Sequence, residues 1–165
     1  MTTKTSDKPA HRYRVHIRAT PEAIWEAITK PEWIERYGYC ARAEYDLRPG
    51  GKYEAFPNAE MAKHAGPAAI IDGEVIEVDP PRKLVQTWRV LWDPEMKAEG
   101  FTRLTWEIEA SPSGITWLTV THEVGDAPKT AAITSGEIKE AGGGWSFILS
   151  DLKTLLETGK ALSAA

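Results

Sequence analysis

The chain has 165 residues, 42% hydrophobic and 27% charged, with a formal net charge of −4 at pH 7. These values fit one globular domain large enough for a core of its own, and the lack of a basic block argues against a nucleic-acid footprint. The lone Cys40 cannot form an internal disulfide and suits a reducing compartment. Met1 to Ala10 lacks the apolar core of a signal peptide, no stretch nears the ~20 apolar residues of a membrane span, and a cytoplasmic location is expected.

In chain order, residues 1–10 read as a disordered tail. Arg12 to Arg18 alternates polar and apolar residues, the pattern of a half-buried strand. Thr20-Pro21-Glu22 supplies an N-cap, a proline at the first helical position and an early acid, and Ile24, Ala27 and Ile28 give that helix a short apolar face. Pro31 ends it and opens a second short helix through Tyr37, stopped by Gly38. Ala41 to Leu47 reads as a strand, Arg48-Pro49-Gly50-Gly51 as a tight turn, and Lys52 to Phe56 as the returning strand. Residues 57–68 read as a loop or flap with a helical turn around Ala59-Glu60-Met61.

Strands follow at Ala69 to Val78 and Lys83 to Trp92, joined by a turn at Asp79-Pro80-Pro81-Arg82. Asp93 to Gly100 is a polar loop. Phe101 to Glu109 and Ile115 to Glu123 make another hairpin. Residues 125–141 are weakly patterned and sit where a lid would sit. After Gly142-Gly143-Gly144, residues Trp145, Ile148, Leu149, Leu152, Leu155 and Leu156 share one face of a long helix, while Asp151, Lys153, Thr154, Glu157 and Thr158 point away. About seventeen residues at 1.5 Å each reach roughly 26 Å, close to the width of six strands ~4.8 Å apart. One helix can therefore cross the whole concave side of the sheet. The prediction is an α+β fold in which a curved antiparallel sheet of six or seven strands wraps the C-terminal helix, with two short helices between the first two strands.

The run Ala19-Thr20-Pro21-Glu22-Ala23-Ile24-Trp25-Glu26-Ala27-Ile28-Thr29 is followed by Asp46-Leu47-Arg48-Pro49-Gly50-Gly51. Later come Gly73-Glu74-Val75-Ile76-Glu77-Val78-Asp79-Pro80-Pro81-Arg82-Lys83-Leu84-Val85, Thr87-Trp88, Thr119-Val120-Thr121-His122 and Gly144-Trp145. In this order the motifs resemble the SRPBCC superfamily of START-like and Bet v-like helix-grip domains, and within it the homologues of the activator of heat-shock-protein ATPase. The resemblance spans about residues 11–160, read as a single domain, and implies the helix-grip fold. It supplies no universal catalytic residues, because this fold hosts binding, transport and catalysis alike.

Seven tryptophans mark either a heavy core or an aromatic-lined cavity. Strand alternation puts Gln86, Trp88 and Trp92 on one face, with Leu104 and Trp106, then Leu118, Val120 and His122, on the next two. If these faces meet the helix, they line a space with Trp145, Leu149 and Leu152. Apolar walls with a few placed polar groups are the chemistry of a small-molecule pocket; the alternative is that the side chains fill the space. His122, read as lying near the rim, is either an acid, base or donor or a satisfied structural histidine. Gln86 either orients a ligand or bonds locally.

The four histidines are scattered without paired-ligand spacing, so neither metal nor cofactor is expected. Arg103 and Glu107 fall on the solvated face. Gly142-Gly143-Gly144 either cradles an anion or lets the chain turn tightly so that Trp145 enters the core. No catalytic residue is assigned. The favoured function is binding of a small, largely hydrophobic molecule. The alternatives are an enzyme of cyclase, dehydratase or hydrolase type in the same cavity, or a chaperone-interaction module. A homodimer is left open, with Trp117 either at its surface or simply an exposed ring.

Overall fold

Alternation carries the sheet. The structure, a computed structural model, describes residues 10–162; the tail expected at the N-terminus lies outside them, save for Ala10. Strand β1 (Ala10–Ile17) turns Tyr13, Val15 and Ile17 inward and Arg12, Arg14 and His16 outward. Helix α1 (Pro21–Thr29) starts where Thr20 accepts from the Ala23 N–H at 3.1 Å, the expected N-cap, and buries Ile24, Trp25, Ala27 and Ile28. Helix α2 is one turn, Pro31–Ile34, shorter than the sequence pattern implied. The chain then makes β2 (Arg42–Tyr45), β3 (Lys52–Phe56), α3 (Ala59–Ala65), β4 (Ile71–Asp79), β5 (Lys83–Val90), α4 (Pro94–Glu99), β6 (Thr102–Ala110), β7 (Thr116–Glu123), α5 (Pro128–Thr134), a 3-10 turn (Lys139–Ala141) and α6 (Gly144–Thr158).

The strands form one antiparallel sheet in the order β1-β7-β6-β5-β4-β3-β2. Strands β2 to β7 run as a meander, and β1 closes the far edge against β7 with Ile17 opposite Thr116. A register shift between Val75 and Glu77 interrupts β4 against β5; such a bulge adds local bend and twist. Just before it, a Cβ on Gly73 would lie 1.9 Å from the Thr87 carbonyl oxygen, so only glycine lets the two backbones approach there.

Helix α6 runs along the β1 side of the concave face. The Lys153 ammonium donates to the His16 carbonyl at 2.8 Å, and Glu157 accepts from the Arg18 N–H at 2.8 Å. Leu149, Leu152 and Leu155 pack beneath it, each at most 3% exposed.

Several local expectations need correcting. Asp151 does not point away from the core but is fully buried. It lies one turn from both Ile148 and Leu155, at the edge of the apolar stripe, and accepts from the Gly38 N–H (2.8 Å) and the Leu162 N–H (2.6 Å). The polar loop at 93–100 holds α4, whose N-cap Asp93 accepts from the Glu95 and Met96 N–H groups. The weakly patterned 125–141 segment contains α5 and the 3-10 turn. Trp117 is half-buried rather than bare, stacked on His16 at 5.3 Å with the Arg14 guanidinium over its ring.

Candidate functional site

Small side chains open a hollow at the other end of the sheet. Ala43 and Ala55 are cross-strand partners on β2 and β3, both buried and both facing a cavity of about 570 Å³. Beside them the partners Tyr45 and Tyr53 stack at 4.6 Å. Trp88 and Trp106 continue the floor onto β5 and β6. The roof comes from Met61, His64 and Ala65 of α3, Ile133 and Thr134 of α5, and Trp145 and Ile148 of α6. Tyr37, Tyr39, Ile28 and Ile34 close the side below α1 and α2. Eight of the lining residues are Tyr or Trp, and none is Asp, Glu, Lys or Arg. The mouth lies by His64, Ala65 and Trp92, which are exposed.

Two of the three roof segments, α5 and α3, are held differently. The Glu99 carboxylate on α4 accepts from the Lys129 and Thr130 N–H groups and from the Thr130 hydroxyl, at 2.8–2.9 Å. That satisfies free N–H groups at the start of α5. Helix α3 buries none of its residues; Asn58, its N-cap, ties it to the Tyr39 carbonyl through Nδ2 at 2.7 Å.

A polar network backs the floor. Gln86 is fully buried behind the rings, and its Oε1 accepts from the Tyr45 hydroxyl (2.7 Å) and the Trp106 indole (3.2 Å); its Nε2 has no partner among the described residues. Burial raises the pKa of Tyr37, Tyr45 and Tyr53, keeping all three phenols neutral.

His122 lies deeper. The Thr102 hydroxyl has one proton and gives it to the Trp88 carbonyl at 2.7 Å, so at 2.7 Å from His122 Nε2 it acts as an acceptor. His122 therefore carries its proton on Nε2, and Nδ1 accepts from the Trp145 indole at 3.1 Å. Burial, assisted by nearby His11, lowers its pKa to about 3. A neutral ring with both nitrogens engaged holds Trp145 at the head of α6.

The triple glycine serves that same placement. Gly144 has φ +64, and a Cβ there would stand 2.2 Å from the Thr134 carbonyl oxygen. The chain thus turns against α5 and delivers Trp145 to the wall, the second of the two readings given to this motif.

Residues 18–157 match the family model for activator of Hsp90 ATPase homolog 1-like proteins. The chain belongs to this family. No curated protein matches it by sequence. Among solved structures, this AHSA1-like chain is similar to a Mesorhizobium loti protein (TM-score 0.66, 21% identity, 90% of this chain and 97% of that one). It is also similar to an Hsp90 activator from Plasmodium falciparum (TM-score 0.62, 20% identity, 90% and 96%) and to the Aha1 protein of Colwellia psychrerythraea, a dimer in solution (TM-score 0.61, 18% identity, 93% and 99%). At these identities the likeness shows the helix-grip fold. Among the described residues no helix is long and apolar enough to cross a membrane.

Of the side chains that sequence alternation assigned to the cavity of this AHSA1-like domain, Trp88, Trp92, Trp106 and Trp145 reach its wall. Trp92 stands at the mouth, 47% exposed. Gln86, Leu104, Leu118, Val120, His122, Leu149 and Leu152 do not line it; each is at most 3% exposed. They sit under α6 or behind the tryptophans, where large side chains leave no room, and His122 is far from the rim expected for it. The residues that sequence reasoning missed are the β2–β3 pairs Ala43/Ala55 and Tyr45/Tyr53 and the α3 face. The signal available was an inward alternation of small and phenolic residues in β2 and β3.

Proposed function

We propose that this AHSA1-like domain binds a small, neutral, largely hydrophobic molecule in the cavity between β2–β6 and the roof made by α3, α5 and α6. The observation that carries this reading is an aromatic-walled hollow of about 570 Å³ without a carboxylate, ammonium or guanidinium in its lining. Ligand pockets run to roughly 300–1,000 Å³ with mostly apolar walls. A charged ligand would lose its hydration there and find no counter-charge, whereas each apolar Å² buried contributes about 25 cal/mol before ordering costs.

Catalysis in the same space would need an acid or base within reach of the substrate. His122 is neutral, doubly hydrogen-bonded and screened by Trp88 and Trp145, and His64 faces solvent at the mouth. Binding is therefore favoured over turnover. The Plasmodium falciparum relative is an Hsp90 activator, but among the described residues no surface feature singles out a chaperone contact.

The test is to fill the hollow. Ala55→Trp should abolish binding of the neutral dye N-phenyl-1-naphthylamine, read by its fluorescence, while the melting temperature is held or raised. Binding that survives the filled cavity would sink the proposal.

A further inference from the structure

We propose that the cavity takes a molecule carrying a hydrogen-bond-accepting oxygen, such as a carbonyl, on an otherwise apolar body, and that Tyr53 and Trp88 hold this oxygen. The proposal rests on the ligand-binding reading above and names the chemistry of its occupant.

Most donors on the inner wall are already engaged. Tyr37 donates to the Ala27 carbonyl at 2.8 Å, and Tyr39 to the Ala141 carbonyl at 3.0 Å. Tyr45 and the Trp106 indole both donate to Gln86 Oε1, at 2.7 and 3.2 Å. The Trp145 indole goes to His122 Nδ1 at 3.1 Å, and the Thr134 hydroxyl to the Thr130 carbonyl at 2.9 Å. His64 and Trp92 stand at the exposed mouth, where water satisfies them.

Two donors are left over. The Tyr53 hydroxyl and the Trp88 indole N–H make no hydrogen bond among the described residues, although both residues are buried. Buried polar groups are nearly always paired, so such an exception calls for a reason. The side-chain atoms sealed off without a partner are others: His11 Nδ1, Gln86 Nε2 and Thr121 Oγ1. Tyr53 and Trp88 both line the cavity, and their unused donors open into it.

The sheet brings these two residues together. Tyr53 on β3 stands opposite Gly73 on β4. The β4–β5 register pairs Ile71 with Val90 and Asp72 with Arg89, which places Trp88 opposite the same glycine. Tyr53 and Trp88 thus flank a position that has no side chain to separate them. The Trp88 ring is set by His122 and Trp145, at centroid distances of 5.1 and 6.4 Å, and the Tyr53 ring by its stack on Tyr45. An indole N–H can only donate. A ligand oxygen with two lone pairs can accept from the indole and the phenol at once. A ligand without an acceptor leaves both donors desolvated and unpaired, which costs affinity.

The experiment measures displacement of N-phenyl-1-naphthylamine at pH 7 by 2-acetylnaphthalene and by 2-ethylnaphthalene, which has a methylene in place of the carbonyl. Tyr53→Phe removes one donor and keeps the ring. It should weaken the ketone about tenfold, the usual worth of such a bond, and leave the hydrocarbon unchanged. The carbonyl stretch of the bound, isotope-labelled ketone gives a second readout, on the wild-type protein alone. It should lie below its position in an alkane solvent. A ketone that fails to displace the dye, ketone affinity unchanged in Tyr53→Phe, an equal loss for both probes, or a carbonyl stretch at the alkane position would overturn the proposal and leave the cavity reading standing. Binding of neither the dye nor either probe to the wild-type protein would remove the cavity reading, and this proposal with it.

Discussion

At the β1–β7–β6 end of the sheet the inward positions carry Ile17, Leu118, Val120, Leu104 and Ile108, and α6 lies close on them. At the β2–β3 end they carry Ala43, Ala55, Tyr45 and Tyr53, and the space above them stays open under α3 and α5. Both ends are inward-facing and largely buried. They differ in side-chain volume and in whether the phenols bring polar atoms with them. One end is core and the other is container, so burial alone does not tell the two apart in this fold.

The largest effect should come from cutting volume at the dense end and adding it at the open end. Leu152→Ala, at a fully buried site under α6, should cost about 2–5 kcal/mol, because its neighbours cannot collapse into the gap. Ala55→Leu adds methylenes where space exists, and chemical denaturation should show stability unchanged or slightly raised. If Ala55→Leu proved as damaging as Leu152→Ala, the two ends would not differ as described.

Acid should act on the dense end through His122. Its pKa falls from 6.5 to about 3 on folding, so between those values the unfolded chain binds the extra proton and the folded chain does not. Stability is full above pH 6.5 and is lost as pH falls towards 3, by about 1.4 kcal/mol for each unit within that window. The proton would have to enter at Nδ1, displacing the Trp145 N–H. His122→Gln, which cannot titrate, should flatten this slope in denaturation curves measured from pH 7 to pH 4. An unchanged slope would mean that the histidine is not held neutral.

Much of the architecture was legible in the sequence, because sheets and long helices write their periods into it. The β1 alternation, the Thr20 cap, the hairpin turns and the α6 stripe each correspond to an element found. The cavity was harder to read. Alternation identifies which residues face inward, and the largest apolar ones on β5, β6 and β7 drew attention for that reason. Those side chains fill space. The residues that leave space are alanines, which carry no distinctive pattern, and α3 and α5 are too short for a helical stripe to show. Asp151 was misread because a charge usually marks a solvated face, whereas here two backbone N–H groups satisfy it inside.

A smaller effect separates α5 from α3 within the roof. Helix α5 is fastened by three hydrogen bonds to the Glu99 carboxylate, whereas α3 buries none of its residues and is tied to Tyr39 through Asn58. Amide exchange at α3 should therefore run faster than at α5, since local opening exposes little apolar surface there. Glu99→Ala removes the group that satisfies the start of α5 and should cost about 1 kcal/mol, the usual worth of a helix cap. Its local signature is more telling than its size. Exchange in α5 should rise towards that of α3 while α6 stays protected, because α6 is anchored through Lys153, Glu157 and its buried leucines. If α5 stayed as protected as before, Glu99 would not be its fastening, and packing of Ile133 and Thr134 would have to hold this side of the roof.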